Sequence, residues 1–487
     1  MFIYKVFYIF VFMRIILINT NQERWPIPAA PIGLSLVAAS LRKAGHEVRV
    51  IDRMFLFSKK EEQAILSEAI TEFKPELIGL SLRNIDNTCM SALRYYLPDI
   101  KELVDLLRTL TDAPLVVGGP GYSLFPVDAL RFLGAEFGIQ GEGEIACVKL
   151  AQALAEDAPY EQIAGLVFKA NGSYQCNPAT LIPDLEHTEP AAFDLLDYKK
   201  YIQKKSYIGL QTKRGCAFNC VYCEHPRIDG KTYRLKTPAR VVEEIIAAQR
   251  FWNLDYFFFV DSVFNFPTEH ACAVCEEIIR RDVKIKWYAN VNPVGISDEM
   301  AALMARSGCI GADVGIDVAS EEMLERMGKG FTQSDIATAA ACYRKAGIAT
   351  SFQLLLGGPG ETRETIAEGF RFLERIPQPD NILTVFGIRI YPDTPLFKMA
   401  HAEDIVFMGE AGDYLSPTFH LPHDFTPQDF QMVENWCAQY PHWSTPLNPW
   451  QYFNVMRATR VPQFGKFKIR DLEGSDAEHA GTRNIYH

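Results

Sequence analysis

Lys213-Arg214-Gly215-Cys216-Ala217-Phe218-Asn219-Cys220-Val221-Tyr222-Cys223 follows an extended run, Tyr207 to Thr212, and precedes a helical pattern that begins near Thr237. Its three cysteines stand at the spacing C-x₃-C-x₂-C. A loop this short can wrap one iron–sulfur cluster with three thiolates and leave one iron without a protein ligand, whereas the four-cysteine ferredoxin patterns saturate theirs. The same residues have two plainer readings: part of a zinc site, or unrelated buried thiols in a tight turn. Zinc asks for a fourth Cys or His, for which His225 is at hand, and the Cys-x-x-Cys pairs that feed such sites come in twos.

From Tyr207 to about Tyr391 the chain alternates strand and helix patterns. The strands read as Tyr207–Thr212, Tyr256–Val260, Ile285–Val291, Gly311–Ile316, Thr350–Leu356 and Leu383–Ile390, with helices near 237–252, 267–281, 297–307, 332–346 and 361–375. Six such units fall short of the eight that close a barrel. Here the sequence resembles the radical S-adenosylmethionine (radical SAM) enzymes, whose signature is this cysteine spacing with an aromatic residue, Tyr222, before the last cysteine. The resemblance implies a partial (β/α)₆ barrel and a [4Fe-4S] cluster on Cys216, Cys220 and Cys223. It also implies S-adenosylmethionine chelated to the open iron through its amino and carboxylate groups. Tyr222 and the strand-end residues Asp261, Ser262, Asp317, Gly357, Gly358 and Pro359 are then expected to hold it. The chain departs from the family in having Asp261-Ser262-Val263-Phe264 in place of a glycine-glycine-glutamate stretch, and Asp317 where glutamate is frequent. For Ser262 and Glu361 the competing reading is a cap on the helix that follows. Cys272 and Cys275 read as packing thiols on a helix of the barrel exterior.

Ahead of the barrel, residues 13 to about 180 show the rhythm of a doubly wound parallel sheet. Its strands read as Arg14–Ile18, Glu47–Asp52, Leu77–Leu82, Pro114–Val117 and Glu136–Gln140. Ligands of such sheets bind outside the carboxyl ends of the strands. Those ends carry Asn19-Thr20-Asn21, Arg83-Asn84, Gly118-Gly119-Pro120-Gly121 and Gly141-Glu142-Gly143-Glu144. Each alone is an ordinary turn, but together at one edge they read as a site, with glycines letting backbone approach a large ligand. No G-x-G-x-x-G follows the first strand, against a nicotinamide fold. The segment resembles the cobalamin-binding domain found ahead of many radical SAM barrels, in Pro31-x-Gly33-Leu34, Ala44-Gly45-His46-Glu47-Val48 with Asp52, Gly118-Gly119 and Gly141–Glu144. That implies cobalamin bordered by Asn19, Arg83, Asn84, Gly118, Gly119, Pro120, Gly121, Gly141, Glu142, Gly143 and Glu144.

Many cobalamin domains supply a histidine from an Asp-x-His-x-x-Gly loop, and this chain has none. His46, the one histidine of the first 180 residues, falls at the amino-terminal edge of the sheet, opposite those loops. Arg83 is the candidate to face the cobalt's lower side; a guanidinium stays protonated and is a poor metal ligand. A salt bridge to Asp86 or Asp52 is its plainer reading.

The expected organisation is a cobalamin domain over 13–180, a linker over 181–205, the barrel over 206–395 and a mostly helical, aromatic-rich region over 396–487, packed over the barrel's open side. A net charge of −11 argues against a general nucleic-acid binder. Eleven cysteines without regular pairing read as reduced thiols and a metal site, which points to the cytoplasm. The apolar start, MFIYKVFYIFVF, is shorter than the roughly 20 residues of a transmembrane span; it reads as sequence upstream of a natural start at Met13, or else as a peripheral membrane contact. Lys213, Arg214, Arg227, Lys231, Arg234 and Lys236 flank the cluster loop, as a solvated face or a dock for an acidic electron donor such as flavodoxin or ferredoxin.

The expected activity is methylation of an unactivated carbon in a small-molecule, lipid or peptide substrate. Alternatives are a cyclisation or rearrangement with the same cofactors, or a methylthiotransferase-like reaction. The last needs a second cluster, for which Cys89, Cys147 and Cys176 are too scattered.

Overall fold

The computed structural model describes residues 12–446 apart from 25, 26 and 205, so the first eleven residues and the latter part of the region expected over 396–487 lie outside the described residues. The strands β1 (Arg14–Asn19), β2 (Glu47–Asp52), β3 (Leu77–Ser81), β4 (Leu115–Gly118) and β5 (Phe137–Ile139) run parallel in the order β2-β1-β3-β4-β5. This is the flavodoxin-like winding, whose direction reverses between β1 and β3 and opens a crevice at their carboxyl ends. Alternate residues of β1 enter opposite cores, Ile16 and Ile18 on one face of the sheet, Ile15 and Leu17 on the other. That two-sided burial explains why the strand reads as a continuous apolar run.

Sequence reasoning stopped at β5. A hairpin, β6 (Leu166–Ala170) and β7 (Ser173–Cys176), extends the sheet antiparallel. Its turn is Asn171-Gly172, with φ of 51° and 81°, the left-handed pair that two-residue hairpins require.

The second unit begins with β8 (Ile208–Leu210). A short ribbon pairs β9 (Lys213–Arg214) with β10 (Arg234–Leu235) across the cysteine loop. Then come β11 (Tyr256–Phe259), β12 (Lys286–Val291), β13 (Cys309–Asp317), β14 (Ala349–Leu356) and β15 (Asn381–Phe386), parallel to β8 and in sequence order. Helices at 238–252, 298–306, 333–346 and 363–375 begin behind Thr237, Ser297, Thr332 and Thr362, each accepting a backbone N–H in its own first turn. These caps are why the helix starts could be placed from sequence.

The last expected strand, Leu383–Ile390, breaks in two. Gly387 has a φ of 79°, and a Cβ there would sit 2.8 Å from Met90 Sδ of the first unit. Beyond it β16 (Ile388–Arg389) leaves the barrel and joins β17 (Ile405–Phe407) and β18 (Thr418–His420) in a small antiparallel sheet. The tail adds the helix Pro427–Cys437 and then β19 (Trp443–Ser444), which pairs parallel with β15 as a seventh strand of the barrel sheet. Phe430 packs at a tilt against Phe386, and Trp436 (tilted) and Trp443 (edge-on) pack against Phe370. The tail's aromatics thus extend the barrel wall beyond β15.

The connecting segment is tied to both units. Tyr201 donates to Asp52 Oδ2 at 2.6 Å, Ser206 to the Pro28 carbonyl at 2.5 Å, and the Trp252 indole to the Phe193 carbonyl at 3.1 Å. Among the described residues, no helix is long and apolar enough to cross a membrane.

Candidate active site at the facing edges of the two units

The cysteine loop leaves β9 through Gly215, with a φ of 99°, where a Cβ would lie 2.4 Å from the Thr232 carbonyl oxygen. Only glycine turns the chain there. Backbone bonds then fix the loop: Cys216 N–H to Gly230 O (3.0 Å), Val221 N–H to Met327 O (3.1 Å) and Cys223 N–H to Cys220 O (3.2 Å). Cys216 is buried, Cys220 and Cys223 partly so. Burial pushes the Cys223 thiol well up, helped by Glu224 and then by the two other cysteines, and burial also raises Cys216. Three thiols that feel one another on one loop are the donor set of a cluster with an open iron, and thiols held protonated release protons when iron binds. Among the described residues no three His, Cys, Asp or Glu side chains converge as a site for one ion. Ligands of a cluster grip separate irons and have no need to converge on one point.

Tyr222 carries the loop across to β13. Its hydroxyl donates to Asp317, and Lys329 donates to that carboxylate and to the Tyr222 oxygen, the latter at 3.2 Å. Lys329 is 3% exposed on its side chain; burial works against its charge, but the Asp317 carboxylate outweighs that and holds its pKa above the ordinary lysine value. Asp317 takes a φ of 62°, a strained conformation for a residue with a Cβ and one that gathers at functional sites. Lys329 lies between Gly328 and Gly330, and no spacing in the sequence marks it for this pairing.

Several expected ligands are engaged by the protein. Asp261 accepts from Thr212 N–H (2.8 Å), Thr212 Oγ1 (2.5 Å) and Lys213 Nζ (3.0 Å), with its side chain fully buried. Its carboxylate braces the start of the loop. Ser262 is half-buried beside it. Gly357 and Gly358 donate to Glu361 at 2.5 and 3.2 Å, and His420 of β18 approaches the Gly357 carbonyl at 2.7 Å. Gly358 lies against Met323 and Met327, where a Cβ would meet a sulfur at 2.8 Å; Pro359 is partly exposed. Burial lifts Glu361 from an ordinary 4.5 to about 7, against the pull of the two N–H groups. A carboxyl raised in the folded state contributes stability that is complete below its unfolded pKa and lost as pH rises through the folded one. Stability should therefore decline from about pH 4.5 to 7 in the native chain, and Glu361→Gln should flatten that decline in urea titrations across this range.

At the crevice of the first sheet, Asn19 donates to Asp52 Oδ1 (2.8 Å) and accepts from Asn21 N–H (3.2 Å). The two alternative partners of Arg83 are both taken, Asp52 by Asn19 and Tyr201 and Asp86 by Arg389 at 2.9 Å. Arg83 itself is exposed. The Asn21 amide nitrogen is buried there without a partner, so the edge fits a polar ligand. Gly119 and Gly121 also meet close neighbours within the protein: a Cβ would lie 2.5 Å from Leu82 O and 2.8 Å from the Asn84 Cα. These glycines let the Gly118–Gly121 loop touch the loop after β3. Pro120 starts the short helix that follows. Gly141 has a φ of 83° and donates to Ser123 Oγ at 2.9 Å, and Gly143 abuts Val37. His46 lies at the opposite edge, accepting the Met13 N–H at 3.2 Å.

Glu142 and Glu144 turn towards the barrel. Arg214 pairs with both and Arg234 with Glu142, every one of these side chains buried. The cationic face expected around the cysteine loop is thereby largely neutralised. Lys213 pairs with Asp261, Lys236 with Glu244 and Arg227 with Asp393, leaving Lys231 bonded to Asn219 at the surface. The Arg389–Asp86 pair, 303 residues apart in sequence, is a second buried bridge between the units. No local spacing announces it.

A parallel partial barrel with three thiols on its first loop, joined to a flavodoxin-like domain, defines a class of two-cofactor enzymes. Residues 210–373 match the Radical SAM superfamily, and residues 27–151 match the B12 binding domain. The chain therefore carries a radical SAM domain with a B12 binding domain ahead of it. It is 27% identical over 455 residues to the tryptophan 2-C-methyltransferase of Streptomyces laurentii, covering 78% of this chain and 73% of that one. It is 24% identical to the anaerobic magnesium-protoporphyrin IX monomethyl ester cyclase of Cereibacter sphaeroides, over 83% of this chain and 66% of that one. Its fold matches the radical S-adenosylmethionine methyltransferase TsrM of Kitasatospora setae, solved with cobalamin and a [4Fe-4S] cluster, at a TM-score of 0.79 and 24% identity, over 92% of this chain and 99% of that one.

Proposed function

We propose that this chain is a cobalamin-dependent radical SAM enzyme that methylates an unactivated carbon of a small-molecule, lipid or peptide substrate. The observation that carries the reading is the joint between the units: buried ion pairs hold the carboxyl edge of the B12 domain against the loop with the three cysteines. When bound, the cluster and cobalamin supply reductive cleavage of S-adenosylmethionine and a methyl-carrying metal. The protein supplies placement. Cys216, Cys220 and Cys223 hold three irons, and Tyr222, Asp317, Ser262 and the Gly357–Pro359 turn border S-adenosylmethionine. Asp261 acts one step back, through Thr212 and Lys213. Asn19, Arg83, Asn84 and the Gly118–Gly121 and Gly141–Gly143 turns border cobalamin. The competing reading keeps both cofactors but cyclises or rearranges its substrate, and the name of the cyclase relative favours keeping it in view.

A one-electron donor such as flavodoxin or ferredoxin is the reductant we infer, docking elsewhere than on the six cations of the cluster loop. All eleven cysteines are free, which suits a reducing compartment such as the cytoplasm.

Anaerobic reconstitution tests the cofactor set. About four irons and one cobalamin per chain support it; twice that iron would favour the methylthiotransferase-like alternative. Electron paramagnetic resonance of the bound cobalt(II) form tests the lower face. With Arg83 there the spectrum should lack nitrogen superhyperfine splitting, and splitting in the native protein would contradict that placement of Arg83.

A further inference from the structure

Arg214 stands two residues before Cys216 and reaches out of the barrel. One guanidinium nitrogen lies 3.0 Å from Glu142, and the other bonds Glu144. Glu142 stands at the N-cap position of the helix Gly143–Ala155, its side chain making no bond to that helix, and Glu144 lies within the first turn. Arg234, opposite Arg214 in the β9–β10 ribbon, lies 2.8 Å from Glu142 and also donates to the carbonyls of Ile182 (2.7 Å) and Asp229 (2.8 Å). Glu142 in turn accepts the Ile182 N–H at 2.5 Å. The turn after β5, the flank of the cysteine loop and the start of the connecting segment therefore meet in one cluster. Its four side chains are only 5–9% exposed.

Two cations and two anions buried together are a poor source of stability compared with apolar packing. They are a strong source of geometry, because planar guanidinium–carboxylate pairs tolerate little displacement. If the cysteine loop shifts, Arg214 moves with it, Glu144 loses its guanidinium partner and Glu142 keeps only Arg234. The turn at 141–144 must then shift or take up water.

We propose that Arg214, Arg234, Glu142 and Glu144 are positioning residues that couple the two cofactor sites. Assembly of the cluster on its loop orders the β5 edge for cobalamin, and cobalamin in turn favours the cluster-bound loop. Linkage makes the effect reciprocal, and couplings of this kind typically change affinity by about 5–150-fold. The inference rests on the reading that cobalamin binds the carboxyl edge of the first sheet.

The test measures the affinity of the full chain for hydroxocobalamin, anaerobically, with and without the reconstituted cluster. The native chain should bind at least about fivefold tighter with the cluster. Glu144→Gln keeps the shape and removes the charge, so the ratio should fall towards one while the cluster's absorbance is retained. General destabilisation would weaken both affinities and leave the ratio alone. Should Glu144→Gln not fold, Glu142→Gln serves as the second variant. Equal affinities in the native chain, or an unchanged ratio in the variant, would overturn the coupling and leave the cofactor assignment intact. Absence of hydroxocobalamin binding in both states would overturn the assignment itself.

Discussion

Replacing Cys220 with alanine is expected to remove the brown iron–sulfur chromophore and all cleavage of S-adenosylmethionine. The loop has three thiols and no spare: His225, the nearest candidate for a replacement, pairs with Asp229 at 3.5 Å. Losing one thiolate opens a second iron to water and oxidation, so the cluster does not survive with two ligands. Cys216→Ala and Cys223→Ala should behave alike, whereas Cys272→Ala, on the helix Thr268–Arg280, should retain cluster and turnover. An active Cys220→Ala protein would end the cluster assignment.

Lys213→Met is expected to destabilise the protein by about 3–5 kcal/mol, the cost of leaving one member of a buried pair uncompensated. The Lys213 side chain is 1% exposed and donates to Asp261 and, at 2.9 Å, to the Phe264 carbonyl. Without it the Asp261 carboxylate stays buried with hydrogen bonds but no countercharge. Urea titration of Lys213→Met should show the loss, and the added change Asp261→Asn should recover much of it. Were Lys213 a solvated docking residue, as its place in a basic stretch invites one to read it, the substitution would leave the unfolding midpoint unchanged.

That contrast shows what was legible in the sequence. Residues whose meaning is local were readable: the cysteine spacing, the capped helices behind Thr237, Ser297, Thr332 and Thr362, and the two-sided apolar strands such as β1. Residues whose meaning depends on a distant partner were not. Arg214 and Glu144 are 70 residues apart and Arg389 and Asp86 are 303 apart, so neither pair leaves a periodic or spacing signal. The glycines at 119 and 121 read as places of close backbone approach, and the sequence does not show that one close neighbour is the loop at Leu82 and Asn84. The hairpin at Asn171-Gly172 did carry its signal, an Asn-Gly step between strand-like runs. Asp261 and Lys213 illustrate the general difficulty. A charged residue at a strand end serves a ligand or an ion pair equally well, and only its three-dimensional neighbours decide.

The central claim is that one chain brings both cofactors to bear on methyl transfer, and the fate of S-adenosylmethionine tests it most directly. The full chain, reconstituted anaerobically with iron, sulfide and cobalamin and supplied with a low-potential reductant, is incubated with S-adenosylmethionine and its products are counted. Methyl transfer predicts S-adenosylhomocysteine together with 5′-deoxyadenosine, because one molecule donates the methyl group and another the radical. Deoxyadenosine alone, from protein loaded with cobalamin, would contradict methyl transfer and leave the rearrangement reading in its place.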